Sequence, residues 1–162
     1  MSKPSSTQAA QRLQQELMQL MSSPTDGVTA YPHEDNLFHW VGTISGAVGT
    51  AYDGLEYRLS LRFPHTYPFE PPGVTFLTPC FHPNVDTSGV ICLDILKENW
   101  SAAISVSELL LSILSLLDNA NTASPLNHEA ARMYRDAVEY KKKVVAVFGD
   151  GGTGTQHPKA LV

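Results

Sequence analysis

Positive charge is scarce in this chain of 162 residues, where 11 Lys and Arg face 16 Asp and Glu for a formal net charge of -5. Phosphate neutralisation needs clustered cations, so the balance excludes a general nucleic-acid binder and points to proteins as partners. Cysteine is equally sparse: Cys80 and Cys92 are too few for a disulfide scaffold, and a reducing compartment leaves both as thiols. No apolar run approaches the ~20 residues that cross a bilayer, and the opening MSKPSSTQAAQ has no hydrophobic signal core. The sequence thus predicts no membrane partner and an intracellular setting. What remains, 43% hydrophobic and 17% charged residues, is the composition of one globular domain.

Residues 1–7 read as a flexible lead, 8–148 as the core domain and 149–162, GGTGTQHPKALV included, as a flexible tail. Ser5 or Ser6 is positioned to cap a first helix whose Leu13, Leu17, Leu20 and Met21 recur at helical spacing, and SSPTDG ends it. Short runs rich in aromatic and branched residues follow at 28–31, 37–44, 55–63 and 74–77. Turn-like spacers between them predict an antiparallel meander. Ser105 and Glu108 form a capping box ahead of LLLSILSLL, which predicts a central helix packed on the sheet. Asn127 is placed to cap a further helix, or two docked helices, over 128–148. The fold class is α+β.

Between sheet and central helix, Pro79, Pro83, Asp86, Ser88 and Gly89 make 78–91 irregular, and Cys92 follows that loop. An isolated cysteine most often acts as a small buried hydrophobe. Zinc ligation by Cys80, His82 and Cys92 lacks the paired C-x-x-C spacing of structural sites, so no metal is predicted. A phosphatase-like C-x5-R loop fails because Glu98 occupies the arginine position. A Cys-His hydrolase through His65, His82 or His128 lacks any local protease signature. No Lys or Arg lies between Arg62 and Lys97, and Asp94 follows Cys92 closely, so nothing local in sequence favours a thiolate.

His82-Pro83-Asn84, with Cys92 eight residues beyond the Asn, resembles the active-site signature of ubiquitin-conjugating enzymes (E2). The resemblance runs through FHWVGTI, FPHTYPFEPP and NWSAAISVSELLLSILSLL, roughly residues 8 to 148. Within the family, TPCFHPNVDTSGVICLDILKENWSA and NLFHWVGTISGAVGTAY are similar to the cyclin-selective branch that works with the anaphase-promoting complex. The resemblance implies the ubiquitin-conjugating-enzyme fold, a four-stranded antiparallel meander with an N-terminal, a central and two C-terminal helices.

It also implies the chemistry. Cys92 would take ubiquitin from an E1 activating enzyme as a thioester, and a RING-type ligase would direct it to lysines of substrates such as cyclins. No cofactor is implied on this chain, since ATP is used by the upstream E1. Asn84 would supply an oxyanion donor or hold the loop, and His82 would support the turn. Where relatives carry an acid before the loop proline, this chain has Ser124, preceded by Ala123 where the cyclin branch tends to have Asp. Ser124 would then serve as an acceptor-side gate, with Asn121, Tyr134 or the substrate itself as alternatives. Arg12, Phe69, Ala102 and Ala103 fall where relatives meet E1 and ligase, and Ala102 stands where many relatives have Pro. Two other readings stay open: a conjugating enzyme for another ubiquitin-like protein, and a non-catalytic ubiquitin-binding scaffold. Arg58 to Leu61 formally spells an R-x-x-L degradation signal but falls in a predicted strand.

Overall fold

A computed structural model describes residues 6–150; the expected caps and termini outside that range, Ser5 among them, lie beyond the described residues. Helix α1 (Ser6–Ser22) leads into strands β1 (Val28–His33), β2 (Asn36–Ser45), β3 (Glu56–Arg62) and β4 (Gly73–Phe76). These form one antiparallel sheet in sequence order. After a long irregular stretch containing a 3-10 turn at Asp94–Leu96 come α2 (Val106–Asp118), α3 (His128–Met133) and α4 (Ala137–Asp150). The α+β meander with its four helices therefore stands as expected, and 128–148 resolves into two helices rather than one.

Alternation explains the sheet. In β3 the residues Tyr57, Leu59 and Leu61 are fully buried on one face, and Trp40 and Ile44 of β2 join them. Across the register, Trp40 stands opposite Leu61 and Ile44 opposite Tyr57. Leu59 and Leu61 are therefore core side chains, which closes the R-x-x-L reading. Pro32, which has no N–H to give a ladder, sits on the edge strand β1, where the pairing register shifts.

Helix α2 begins as the capping box predicts: Ser105 Oγ accepts from the Glu108 N–H at 3.1 Å, and a Glu108 carboxylate oxygen accepts from the Ser105 N–H at 3.0 Å. Its Val106, Leu109, Leu110, Ile113 and Leu117 are buried in the core that α2 forms with the sheet.

Helix α1 corrects one expectation. Its buried line is Ala9, Leu13 and Glu16, with Leu17 and Leu20 half-buried, whereas Met21 is 67% exposed. At 3.6 residues per turn Met21 lies about a third of a turn from Ala9, outside the stripe that meets the sheet. A charged residue, Glu16, lies within that stripe instead.

Candidate functional site

The loop between β2 and β3, together with α4, fixes the backbone just before the His-Pro-Asn turn. Tyr52 and Tyr140 share a hydroxyl hydrogen bond of 2.6 Å, and both hydroxyls reach the Phe81 carbonyl, at 2.6 and 3.4 Å. His82 follows with no exposed surface. Its Nδ1 accepts from the Asn84 N–H at 2.9 Å, so Nε2 carries the proton and donates to the Leu116 carbonyl of α2 at 2.7 Å. Both ring nitrogens are thus engaged in holding the turn, and neither is free to act as a base.

Burial pushes the His82 imidazole down from its ordinary 6.5 to about 4, against the opposing pull of the Leu116 carbonyl. The sign follows from linkage: between those values the unfolded chain binds a proton that the folded chain refuses. Stability from this group is full above pH 6.5 and is lost as pH falls toward about 4, roughly 3 kcal/mol in total. Urea midpoints measured from pH 7.5 downward should fall through that window, and a His82→Asn protein should lose that part of the slope. A wild-type slope equal to that of His82→Asn contradicts the assignment.

Asn84 is 1% exposed and spends both ends of its amide on one residue. Its Nδ2 donates to the Asn121 carbonyl and its Oδ1 accepts from the Asn121 N–H, each at 2.8 Å. The Pro83 carbonyl accepts from Leu126 and Asn127 N–H groups at 2.8 and 3.0 Å. The loop after α2 is therefore fastened at two points to the turn, and Ser124 stands exposed between them. Asn127 then caps α3 by accepting from the Ala130 N–H at 3.0 Å. Tyr134 donates to the Asp118 carbonyl at 3.3 Å, which ties α3's C-terminal cap to the end of α2.

Cys92 arrives on a second turn. Asp86 Oδ1 accepts from Ser88 N–H, Ser88 Oγ and Val90 N–H at 2.8 to 2.9 Å. These donors, the Val90 N–H first, hold its carboxyl below the usual range. Gly89 has φ +93°, and a Cβ there would lie 2.3 Å from the Phe76 carbonyl oxygen, so only glycine lets this turn lie on β4. The Cys92 N–H then donates to the Asn84 carbonyl at 2.9 Å. This bond joins the half-buried thiol residue to the turn and, through Asn84, to the Ser124 loop. Cys80 is different: burial pushes its thiol up and leaves it a small core residue.

A sequence model of the ubiquitin-conjugating enzyme family matches residues 12–148. The chain belongs to the ubiquitin-conjugating enzymes. It is also 53% identical over 133 residues, 81% of this chain and 76% of the relative, to the ubiquitin-conjugating enzyme E2-20 kDa of Schizosaccharomyces pombe. It is an enzyme that transfers ubiquitin, and the family's work brings it together with ubiquitin, an E1 and an E3.

The remaining predicted positions of this conjugating enzyme lie on α1 and on two loops that Arg12 touches. Phe69 is 65% exposed on the loop after β3. Trp100 Nε1 donates to the Pro68 carbonyl at 2.9 Å, pinning that loop to the segment carrying half-buried Ala102 and exposed Ala103. Arg12 does not stand free. Its Nε meets Glu16 Oε1 at 2.9 Å, its Nη2 reaches the Ile104 carbonyl at 3.4 Å, and its guanidinium lies 5.7 Å from the Tyr67 ring centroid. Arg12 thus links α1 to both loops.

Glu16 is the residue that sequence reasoning missed. It is 4% exposed, and besides Arg12 its carboxylate accepts from the Val106 N–H at 2.8 Å and from the Tyr67 hydroxyl at 3.5 Å. A carboxylate at the first N–H of α2 also meets the positive end of the helix dipole. Its only sequence signal is its place in the Ala9, Leu13, Glu16, Leu20 stripe. Glu16→Ala should destabilise the protein by about 3 kcal/mol, since it strands the Val106 N–H and half-buried Arg12, while Glu16→Gln should cost less. Equilibrium urea unfolding checks both, and equal midpoints for Glu16→Ala and wild type contradict the role.

Proposed function

We propose that this conjugating enzyme carries ubiquitin on Cys92 and delivers it to substrate lysines with a RING-type ligase, the anaphase-promoting complex, in cyclin degradation. The observation that carries the reading is the Cys92 N–H bond to the Asn84 carbonyl, which sets the thiol beside a turn clamped to the Ser124 loop. In the loading step the Cys92 sulfur attacks the E1 thioester, the E1 thiolate leaves, and the ubiquitin C-terminal carbonyl is bonded to Cys92. This thiol exchange is nearly isoergic. ATP is spent upstream by the E1, and no cofactor is needed on this chain.

Discharge is harder. A lysine amine attacks the thioester carbonyl, the carbonyl oxygen gains negative charge, and the Cys92 thiolate leaves as the amide forms. A neutral donor near that oxygen lowers the barrier. Asn84 Nδ2 gives one hydrogen to Asn121 and keeps a second for the oxyanion, so holding the loop and stabilising the intermediate are compatible. His82 supports the turn, and the Ser124 hydroxyl gates the acceptor side in place of a carboxylate. Phe69, Ala102 and Ala103, braced by Trp100 and Arg12, form the surface for E1 and ligase, with exposed Phe69 as its aromatic anchor. The reactions take place in the cytoplasm and nucleus.

Incubation with E1, ATP and ubiquitin should give a heavier species that thiol reductant removes. Adding the anaphase-promoting complex and a cyclin should then accelerate discharge onto the cyclin. A charged protein that other RING ligases stimulate and the anaphase-promoting complex does not would keep the enzyme and remove the branch.

A further inference from the structure

An open cavity of about 440 Å³ adjoins the acceptor-side loop, lined by Thr122, His128, Ala131, Arg132, Tyr134 and Arg135. Thr122 lies two residues from Ser124, within the loop that Asn84 and Pro83 fasten to the Cys92 turn. The other lining residues belong to α3 and its C-terminal end. In a chain whose net charge is -5, this wall brings together two guanidinium groups and an imidazole.

Neither guanidinium has an ion-pair or hydrogen-bond partner among the described residues, in contrast to Arg12. The nearest carboxylates in sequence are otherwise engaged. Glu129 pairs with Lys143 of α4 at 3.5 Å, and Asp136 accepts from the Glu139 N–H at 3.2 Å at the start of α4. Two unpaired, exposed guanidiniums flanking a concave surface present forked donors matched to a carboxylate. We infer that this cavity receives an acidic side chain of the acceptor protein and so selects target lysines that have glutamate or aspartate nearby.

The inference rests on the proposed discharge of ubiquitin from Cys92 to lysine, and it supplies a recognition element on the side where Ser124 offers no charge. An enzyme lacking an acid there cannot attract the lysine ammonium directly. A carboxylate beside the target lysine, held by Arg132 and Arg135, anchors the acceptor instead. Such exposed pairs contribute modestly, so the expected selectivity is about three- to tenfold and weakens with salt.

The test uses three lysine peptides that differ only at the flanking positions, which carry glutamate, glutamine or phosphoserine. In NMR titrations of the uncharged full chain, the glutamate peptide should shift the Arg132 and Arg135 Nε–Hε signals and the Thr122 amide. The glutamine peptide should not, and about 0.5 M salt should suppress the response. An Arg132→Gln/Arg135→Gln protein should lose the response. In single-turnover discharge from the charged enzyme, the wild type should favour glutamate over glutamine by about three- to tenfold. The double variant should show no preference yet discharge to the glutamine peptide at the wild-type rate. Equal responses to the glutamate and glutamine peptides, a double variant that keeps the preference, or recognition confined to phosphoserine each overturn the inference. Because the titration needs no thioester, a failure of Cys92 to charge would be seen separately and would leave the binding result decisive.

Discussion

Cys92→Ala should accept no ubiquitin from E1 at any concentration, while Cys92→Ser should give an adduct that thiol reductant leaves intact and alkali removes. The contrast follows from the leaving atom. A serine hydroxyl at the same place forms an oxygen ester, which a reducing thiol does not readily exchange, so the adduct accumulates instead of turning over. Cys80→Ala provides the control, because that thiol is buried and pushed toward its protonated form, and should charge as the wild type does. Both Cys92 variants should keep the fold, since Cys92 is half-buried and its structural bond to Asn84 is made by the backbone N–H that every non-proline residue has. Denaturing gels with and without reductant read the outcome. A Cys92→Ala protein that still forms a reductant-sensitive adduct would move the nucleophile elsewhere.

The strands and helices were legible in the sequence because their periods are clean. Tyr57, Leu59 and Leu61 alternate to one face, and the Ser105/Glu108 capping box marks the start of α2 to the residue. The site was legible as a pattern rather than a geometry. His82, Pro83, Asn84 and Cys92 could be picked out, but the two-bond clamp from Asn84 to Asn121 spans 37 positions in the chain, and no local rule encodes such a pairing.

Glu16 was missed, and the contacts of Arg12 were not foreseen, for a related reason. A carboxylate on a helix face reads as solvated until its partners, Val106 at the start of α2 and Tyr67 on a distant loop, are brought to it by the fold. Two of the groups that Arg12 meets, the Ile104 carbonyl and the Tyr67 ring, are likewise far from it in the chain. Local chemistry therefore predicted the elements, whereas the contacts that fasten one loop to another came only with the tertiary structure.

Asn84→Ala should charge with ubiquitin at close to the wild-type rate but discharge to lysine about 10²- to 10³-fold more slowly, the loss typical of removing one oxyanion donor. Loading survives because the Cys92 N–H bonds the Asn84 backbone carbonyl, which alanine retains. Discharge suffers twice: the amide that would face the developing oxyanion is gone, and the Asn121 N–H and carbonyl lose their partners. The Pro83 carbonyl still holds Leu126 and Asn127, so the loop is loosened at one end rather than freed. The accompanying stability loss should be about 1 to 3 kcal/mol.

Asn121→Pro separates the two contributions. It deletes the N–H that donates to Asn84 Oδ1 and the side chain that accepts from the Ala123 N–H, both contacts that hold the loop, while leaving the Asn84 amide donor in place. If stabilising the oxyanion dominates, Asn121→Pro should discharge far faster than Asn84→Ala at matched stability. If holding the loop dominates, the two should slow discharge alike. Single-turnover discharge to free lysine, read beside urea midpoints, decides between them, and an Asn84→Ala protein with wild-type discharge removes the amide from the mechanism altogether.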